Sequence, residues 1–173
     1  MPTKKKRVRR AGANDVPKIT TFLTFSDRAE EAVRLYVSIF KNSRIVSIVR
    51  GEEGGPIAKG KLLHAAFELD GQPFMAMDAG PYFSFAQGIS LFVSCETQAE
   101  IDRLWGKLSQ GGEEQPCGWV RDRFGVSWQI VPIALGEMMG DPKSGNSAKV
   151  MEALLTMSKI DIKTLRDAYR QRK

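Results

Sequence analysis

The sequence predicts an α+β fold, with two paired βαβββ modules forming curved mixed sheets around a cleft, followed by C-terminal helices. Three observations predict it. Alternating apolar and polar residues mark strands in the order strand, helix, strand, strand, strand. That order repeats at an offset of 70 residues, which aligns Thr20 with Ser90, Phe22 with Phe92, Thr24 with Ser94, Ala29 with Ala99 and Glu30 with Glu100. After Pro132 the apolar spacing becomes helical. The resulting organisation is a disordered basic tail over 1–17, a domain over 18–133 with modules at about 18–80 and 88–133, and a helical extension over 134–173.

Ile19–Phe25 alternates as a strand. Ser26 or Asp27 is the expected cap of the first helix, with Glu30 and Glu31 in its first turn. Ala29, Ala32, Val33, Tyr36, Ile39 and Phe40 form its apolar stripe. Arg44–Arg50 is the second strand and the glycine-rich stretch 51–56 a loop. Lys61–Asp70 and Gln72–Asp78 are strands joined by an Asp70-Gly71 turn. The second module repeats this pattern with a helix from about Thr97 to Gln110, ended by Gly111-Gly112. Strands follow at Glu114–Val120 and Val126–Val131, with a turn at Arg123-Phe124-Gly125 between them. A turn at Ala134–Gly140, a helix from Ser147 to about Ser158 and a helix over Ile162–Tyr169 capped by Asp161 complete the chain.

The composition is that of a soluble globular chain: 173 residues, 42% hydrophobic and 27% charged. No apolar run approaches the roughly 20 residues of a spanning helix, and no hydrophobic segment follows the basic start as in a secretory signal. Cys95 and Cys117 are too few for a disulfide framework, so a cytoplasmic setting is expected. The net charge of +6 is confined to residues 1–18, where seven Lys and Arg face Asp15 alone; residues 19–173 carry nineteen charges of each sign. The tail reads either as a solvated extension or as a nucleic-acid arm or import signal. The neutral body has no basic stripe, so nucleic acid is not an expected partner.

Strand parity sends Leu23 and Phe25 under the helix and turns Thr20, Phe22 and Thr24 the other way. Met75, Met77, Ser90, Phe92, Ser94, Gln129 and Val131 join that opposite face. Aromatic, thioether and hydroxyl groups together fit the lining of a small-molecule pocket better than an ordinary core. Thr20, Phe22, Met75, Met77, Ser90, Phe92 and Gln129 are the candidate ligand-binding residues, with Tyr82 and Trp119 as lids or stacking partners.

Residues 117–132, CGWVRDRFGVSWQIVP, together with ELDGQPFMA at 68–76 and GPYF at 80–83, resemble the PhnB-like proteins. That group carries the label 3-demethylubiquinone-9 3-methyltransferase-like. It falls in the vicinal oxygen chelate superfamily with glyoxalase I, bleomycin-resistance proteins and extradiol dioxygenases. The resemblance runs from about Lys18 to Tyr169, including the Lys159-Ile160-Asp161-Ile162 stretch, and implies paired βαβββ modules in a homodimer. It also implies four metal-ligand positions, which fall here on Thr20, Met75, Ser90 and Gln129. A divalent catalytic ion takes imidazole or carboxylate ligands, so no metal and no cofactor are expected.

His64, the single histidine, shares a strand face with Glu68, and the two are the candidates for proton transfer. A lone hydrogen-bonded or exposed strand histidine is the alternative. Neither cysteine has an adjacent His, so both read as small buried hydrophobes. The turn Phe25-Ser26-Asp27-Arg28 has no glycine of the kind that lets backbone approach an adenosyl donor. Two function classes follow. One is a metal-free protein that binds or sequesters an aromatic or amphipathic compound, as bleomycin-resistance members do. The other is an enzyme on a quinone-like or other small substrate, of glyoxalase, dioxygenase or methyltransferase type.

Because a self-repelling polar tail buries little surface, deleting residues 1–17 should leave the melting temperature unchanged, as read by differential scanning calorimetry. A loss of several degrees would show that the tail docks on the fold.

Overall fold

The structure, a computed structural model, describes residues 17–55, 57–86, 88–141 and 146–171. The basic tail therefore lies outside the described residues, apart from Pro17. Among the described residues eight strands and five helices form, with Ala134–Gly140, expected as a turn, folding into a helix. In the first module β1 (Thr21–Phe25), α1 (Ala29–Ile39), β2 (Arg44–Arg50), β3 (Leu62–Leu69) and β4 (Gln72–Asp78) follow one another. The second module holds β5 (Leu91–Cys95), α2 (Gln98–Leu108), β6 (Glu113–Glu114), β7 (Trp119–Arg121) and β8 (Ser127–Pro132). Each module forms a four-stranded sheet, ordered β1-β4-β3-β2 and β5-β8-β7-β6. The first and last strands of each module pair in parallel and the others antiparallel, so both sheets are mixed.

The local chemistry is mostly as expected. Asp70 and Gly71 both take positive φ, 48° and 77°, which is the backbone of a tight hairpin turn. Thr97 accepts the Glu100 N–H at 3.2 Å and caps α2. Asp161 does the same for Thr164 at 2.6 Å and caps α5 (Ile162–Arg170). The first helix departs from expectation. Neither Ser26 nor Asp27 caps it; Arg28 holds the cap position at φ 65°, and the Ala29 N–H is taken instead by the Asp78 carboxylate from β4 at 2.8 Å. A remote carboxylate thus replaces the local one, and it ties the helix to its own sheet. The expected strand over Glu114–Val120 is also broken, by a short 3-10 turn at Pro116–Gly118. Proline gives no N–H to a ladder, and Cys117 adopts φ 60°.

Leu23, Phe25, Ala65, Phe67 and Ala76 from the first sheet are buried against α1. Ile101, Leu104 and Leu108 of α2 lie in the same core with Val120, Trp128 and Ile130 of the second sheet. One continuous core therefore runs between the modules, and its centre is aromatic. Tyr36 of α1 meets Trp128 edge-on at 5.0 Å, Phe40 stacks on Trp128 at 5.4 Å, and Phe25 meets Phe124 at 6.5 Å. The modules are joined through their helix-bearing sides. This corrects the expectation that the two halves close a cleft between their other faces. Helix-side residues carry the bulk of the apolar surface, so that is where the halves meet, and the opposite faces remain open.

Asp122, 3% exposed, sits at the join. Its carboxylate accepts from the Tyr36 hydroxyl at 2.7 Å, Trp128 Nε1 at 2.8 Å, and the Phe124 and Val126 N–H groups at 2.9 and 3.0 Å. Burial and then the carboxylate itself push the Tyr36 hydroxyl well above the ordinary phenol range.

After β8, α3 (Ile133–Met139), α4 (Ser147–Leu155) and α5 build a second apolar cluster around Val150, Leu154, Ile160 and Leu165. This cluster covers Cys117 and Val131 at one end of the second sheet, so Val131 belongs to it and not to an open cleft. The contact is close. Gly118 has φ 84°, and a Cβ there would lie 2.7 Å from the Ile130 carbonyl and 2.8 Å from Ile160 Cδ1. Gln98 of α2 binds both the Ile160 carbonyl (3.1 Å) and the Ile162 N–H (2.8 Å), which ties the extension to the second module.

Tyr36→Phe removes one of four donors from a buried carboxylate while keeping the ring packing. It should lower unfolding free energy by about 1–3 kcal/mol in urea denaturation. No change would mean that the Tyr36–Asp122 contact is not part of what holds the modules together.

Candidate ligand-binding site

The register of each sheet places the candidate residues in rows across the open faces. In the first sheet Phe22 lies opposite Met75, and Met75 lies opposite Ala66. In the second sheet Phe92 lies opposite Gln129, and Gln129 lies opposite Trp119. Met75 therefore stands to Phe22 as Gln129 stands to Phe92, the equivalence expected from the internal repeat. Both rows look away from the helices, because their neighbours Leu23, Ala76, Trp128 and Ile130 are the buried ones.

The faces are apolar and accessible. Phe22 is 45% and Phe92 59% exposed, while Thr20, Met75, Met77, Ser90, Trp119 and Gln129 are half-buried. Gln129 Nε2 donates to Ser90 Oγ at 2.8 Å, which orients the amide and leaves its oxygen available to a ligand donor. Phe92 and Trp119 flank that amide across the row. Tyr82, 93% exposed in the segment between the modules, is not brought against these residues.

Two residues along the strands from these rows, each open face also carries an ion pair. Arg44 makes a two-pronged pair with Glu68, both contacts at 2.8 Å, and its guanidinium holds the Glu68 carboxyl below the usual carboxylate range. Arg121 pairs with Glu113. Glu68 is thus engaged with Arg44, and it lies four residues from His64 along one strand, a separation of about 13 Å. The structure does not bring these two proton-transfer candidates together. His64 instead faces Val49 across the β2–β3 ladder.

Sequence reasoning missed a groove at the end of the first sheet. Arg28, Arg50, Lys61, Leu62, Met77 and Asp78 are among its lining residues, and it encloses about 690 Å³. The loop between β2 and β3 builds one wall, and no periodicity in the sequence gives the path of that loop. Asp122 stands out in the sequence only as one residue of the 117–132 stretch. Its burial follows from Tyr36 and Trp128, which lie 86 and 6 residues away.

The four positions that the sequence resemblance implies as metal ligands carry Thr20, Met75, Ser90 and Gln129. Two alcohols, a thioether and an amide are a poor match to an ion that takes imidazole and carboxylate. Among the described residues no group of three or more His, Cys, Asp or Glu could hold a metal. This donor set does not fit a divalent catalytic metal.

Two βαβββ modules with mixed sheets and half-open faces define an α+β protein of the paired-module class. Residues 17–131 match the protein-family model described as 3-demethylubiquinone-9 3-methyltransferase, and the chain belongs to that PhnB-like family. It is similar to the solved PhnB protein of Bacillus cereus, with 44% identity, a TM-score of 0.63, and coverage of 67% of this chain and 99% of that one. A protein from Pseudomonas aeruginosa is similar at 26% identity and a TM-score of 0.59, covering 68% and 98% of the two chains. A search of the curated proteins found no match. The family match ends at Val131, so α3, α4 and α5 lie outside it, although the sequence resemblance was expected to reach Tyr169.

Cys95 is fully buried, and that burial pushes its thiol up to about 12, with the Glu100 charge adding to the effect. Cys117 is only half-buried. Iodoacetamide at pH 8 should therefore label Cys117 in the native protein and spare Cys95, as read by peptide mass spectrometry. Equal labelling would contradict the packing of β5 against α2.

Proposed function

We propose that this protein binds a small aromatic or amphipathic organic molecule on the faces that carry Phe22, Met75, Phe92, Trp119 and Gln129, without a divalent metal. The observation that carries this reading is the chemistry of the four equivalent positions. Thr20, Met75, Ser90 and Gln129 supply one polarizable thioether and three hydrogen-bonding groups beside the apolar Phe22 and Phe92, and they do not supply a metal box. Phe92 and Trp119 offer ring faces on either side of the Gln129 amide. A planar ligand between them would stack on both sides and present a hydroxyl to the Gln129 oxygen.

The reading includes a second copy of the chain. The open faces expose Phe22 and Phe92, and Ile19 and Ile89, just ahead of β1 and β5, are 89% and 78% exposed. Apolar side chains on the open sides of two sheets favour burial against another surface. A homodimer in which these faces meet would enclose the ligand and remove it from water.

Methyl transfer from an adenosyl donor is not favoured by these residues. The β1–α1 turn has no glycine, and the first N–H of α1 is already occupied by Asp78. A cytoplasmic setting is part of the proposal; among the described residues no helix is long and apolar enough to cross a membrane.

Calorimetry against a panel of aromatic and quinone-like compounds, with and without chelator, tests the reading. Binding should survive the chelator. Gln129→Ala should weaken a hydroxyl-bearing ligand by about 1 kcal/mol, the net value of one hydrogen bond. Phe92→Ala should weaken an apolar ligand by more, and sedimentation should give the mass of two chains. Binding seen only after addition of Mn²⁺, Zn²⁺ or Ni²⁺ would overturn it.

A further inference from the structure

The open face of the first sheet carries three soft or borderline donors that the organic-ligand reading does not use as a group. Met75 and Met77 lie two residues apart on β4, so their side chains leave the same face of the strand. His64 lies on that face of the neighbouring β3. The antiparallel register pairs Ala65 with Ala76 and Ala66 with Met75, and one further step sets His64 directly opposite Met77. Ala65 and Ala76, both 0% exposed, point to the helix side, which confirms that His64, Met75 and Met77 share the other. Directly opposed side chains start about 4.5–5.5 Å apart at Cβ, and diagonal neighbours about 7–8 Å apart. Each thioether sulfur is two bonds beyond its Cβ on a flexible stem, so both sulfurs and an imidazole nitrogen can converge on one point above the strand pair.

We infer that His64, Met75 and Met77 form a binding site for a soft monovalent cation of the Cu(I) or Ag(I) class. Two thioethers and an imidazole carry no charge and are poor donors for divalent ions of intermediate hardness, yet thioether sulfur is a preferred ligand of Cu(I). Three such ligands suffice for the low coordination numbers of soft monovalent ions. All three side chains are half-buried, partly shielded from water but reachable. Met77 also borders the 690 Å³ groove at the end of the sheet, which gives an ion a route in. The flanking positions are compatible: Thr24 lies beside Met77 and Val49 beside His64, and neither places a competing cation against the donors. This site differs from the four divalent-ligand positions, sharing only Met75 with them. It does not depend on which organic ligand the protein takes.

Ag(I) is the probe, because it shares the sulfur preference and undergoes no redox change in buffer. It is titrated into full-length Cys117→Ser protein, which removes the half-buried thiol, with the methionine methyl groups carbon-13 labelled. One equivalent should saturate the protein and move the methyl resonances of Met75 and Met77, assigned from Met75→Leu and Met77→Leu, together with the His64 ring signals. Losing an outer-shell partner of a metal ligand costs about 10–100-fold in affinity, so losing both sulfurs in Met75→Leu/Met77→Leu should cost on the order of 100-fold or more. Met151→Leu, an exposed methionine on α4, should leave affinity unchanged. If the double variant does not fold, the methyl shifts of the Cys117→Ser protein and the affinity of Met77→Leu alone decide the matter. Absence of stoichiometric uptake, shifts confined to other methionines, or undiminished affinity in a folded double variant would overturn the site. None of these outcomes bears on calorimetry with organic ligands, so the two proposals fail separately.

Discussion

The buried carboxylate of Asp122 is the constraint on which the arrangement of the two modules depends. A charge removed from water is tolerated only when fully hydrogen-bonded, and Asp122 meets that condition with donors from both modules. Two of the four come from its own β7–β8 turn and one from Trp128 on β8. The fourth comes from α1 of the first module. Satisfying the carboxylate therefore sets where α1 lies against the second sheet. Tyr36 and Phe40 then meet Trp128, while Arg28 and Arg123 both sit about 5 Å over the Phe124 ring. Losing the carboxylate would leave several buried donors without a partner, a larger cost than losing any single contact around it.

Once the helix-bearing sides are joined, the opposite sides of the sheets face outward. Phe22 and Phe92 are exposed for this reason and not through poor packing. The ion pairs Arg44–Glu68 and Arg121–Glu113 sit on the same faces and neutralise one another locally, so neither face presents a strong field to attract a charged ligand. What remains is apolar area with a few oriented dipoles, of which the Gln129–Ser90 pair is the best defined. Such a surface selects by shape, stacking and individual hydrogen bonds.

The C-terminal helices change the two faces unequally. They cover Val131 and Cys117 at one end of the second sheet and are clamped there by Gln98. The first sheet has no such cover among the described residues, and its far end opens into the groove beside Met77. An internal repeat that is symmetric in its strands is therefore asymmetric in its accessible surface. The three helices responsible lie beyond the part of the chain that matches the family.

Much of the fold was legible in the sequence, because strand alternation and helix spacing are local signals. The order of elements, the Asp70-Gly71 hairpin and the Asp161 cap follow from residues close together in the chain, and the equivalence of Phe22 with Phe92 follows from the repeat at an offset of 70. The absence of imidazole and carboxylate at Thr20, Met75, Ser90 and Gln129 was legible for the same reason: residue identity at a strand position needs no distance. Contacts between distant segments decided the rest. Asp78 caps α1 from 49 residues away, Asp122 binds Tyr36 across 86, and Arg44 removes Glu68 from any partnership with His64. Parity along a strand places a side chain on one of two faces, but which faces are buried against each other depends on the total apolar area each offers. That is a property of the assembled sheets and helices, which is why the sequence determined the modules and only the tertiary structure decided that they join back to back.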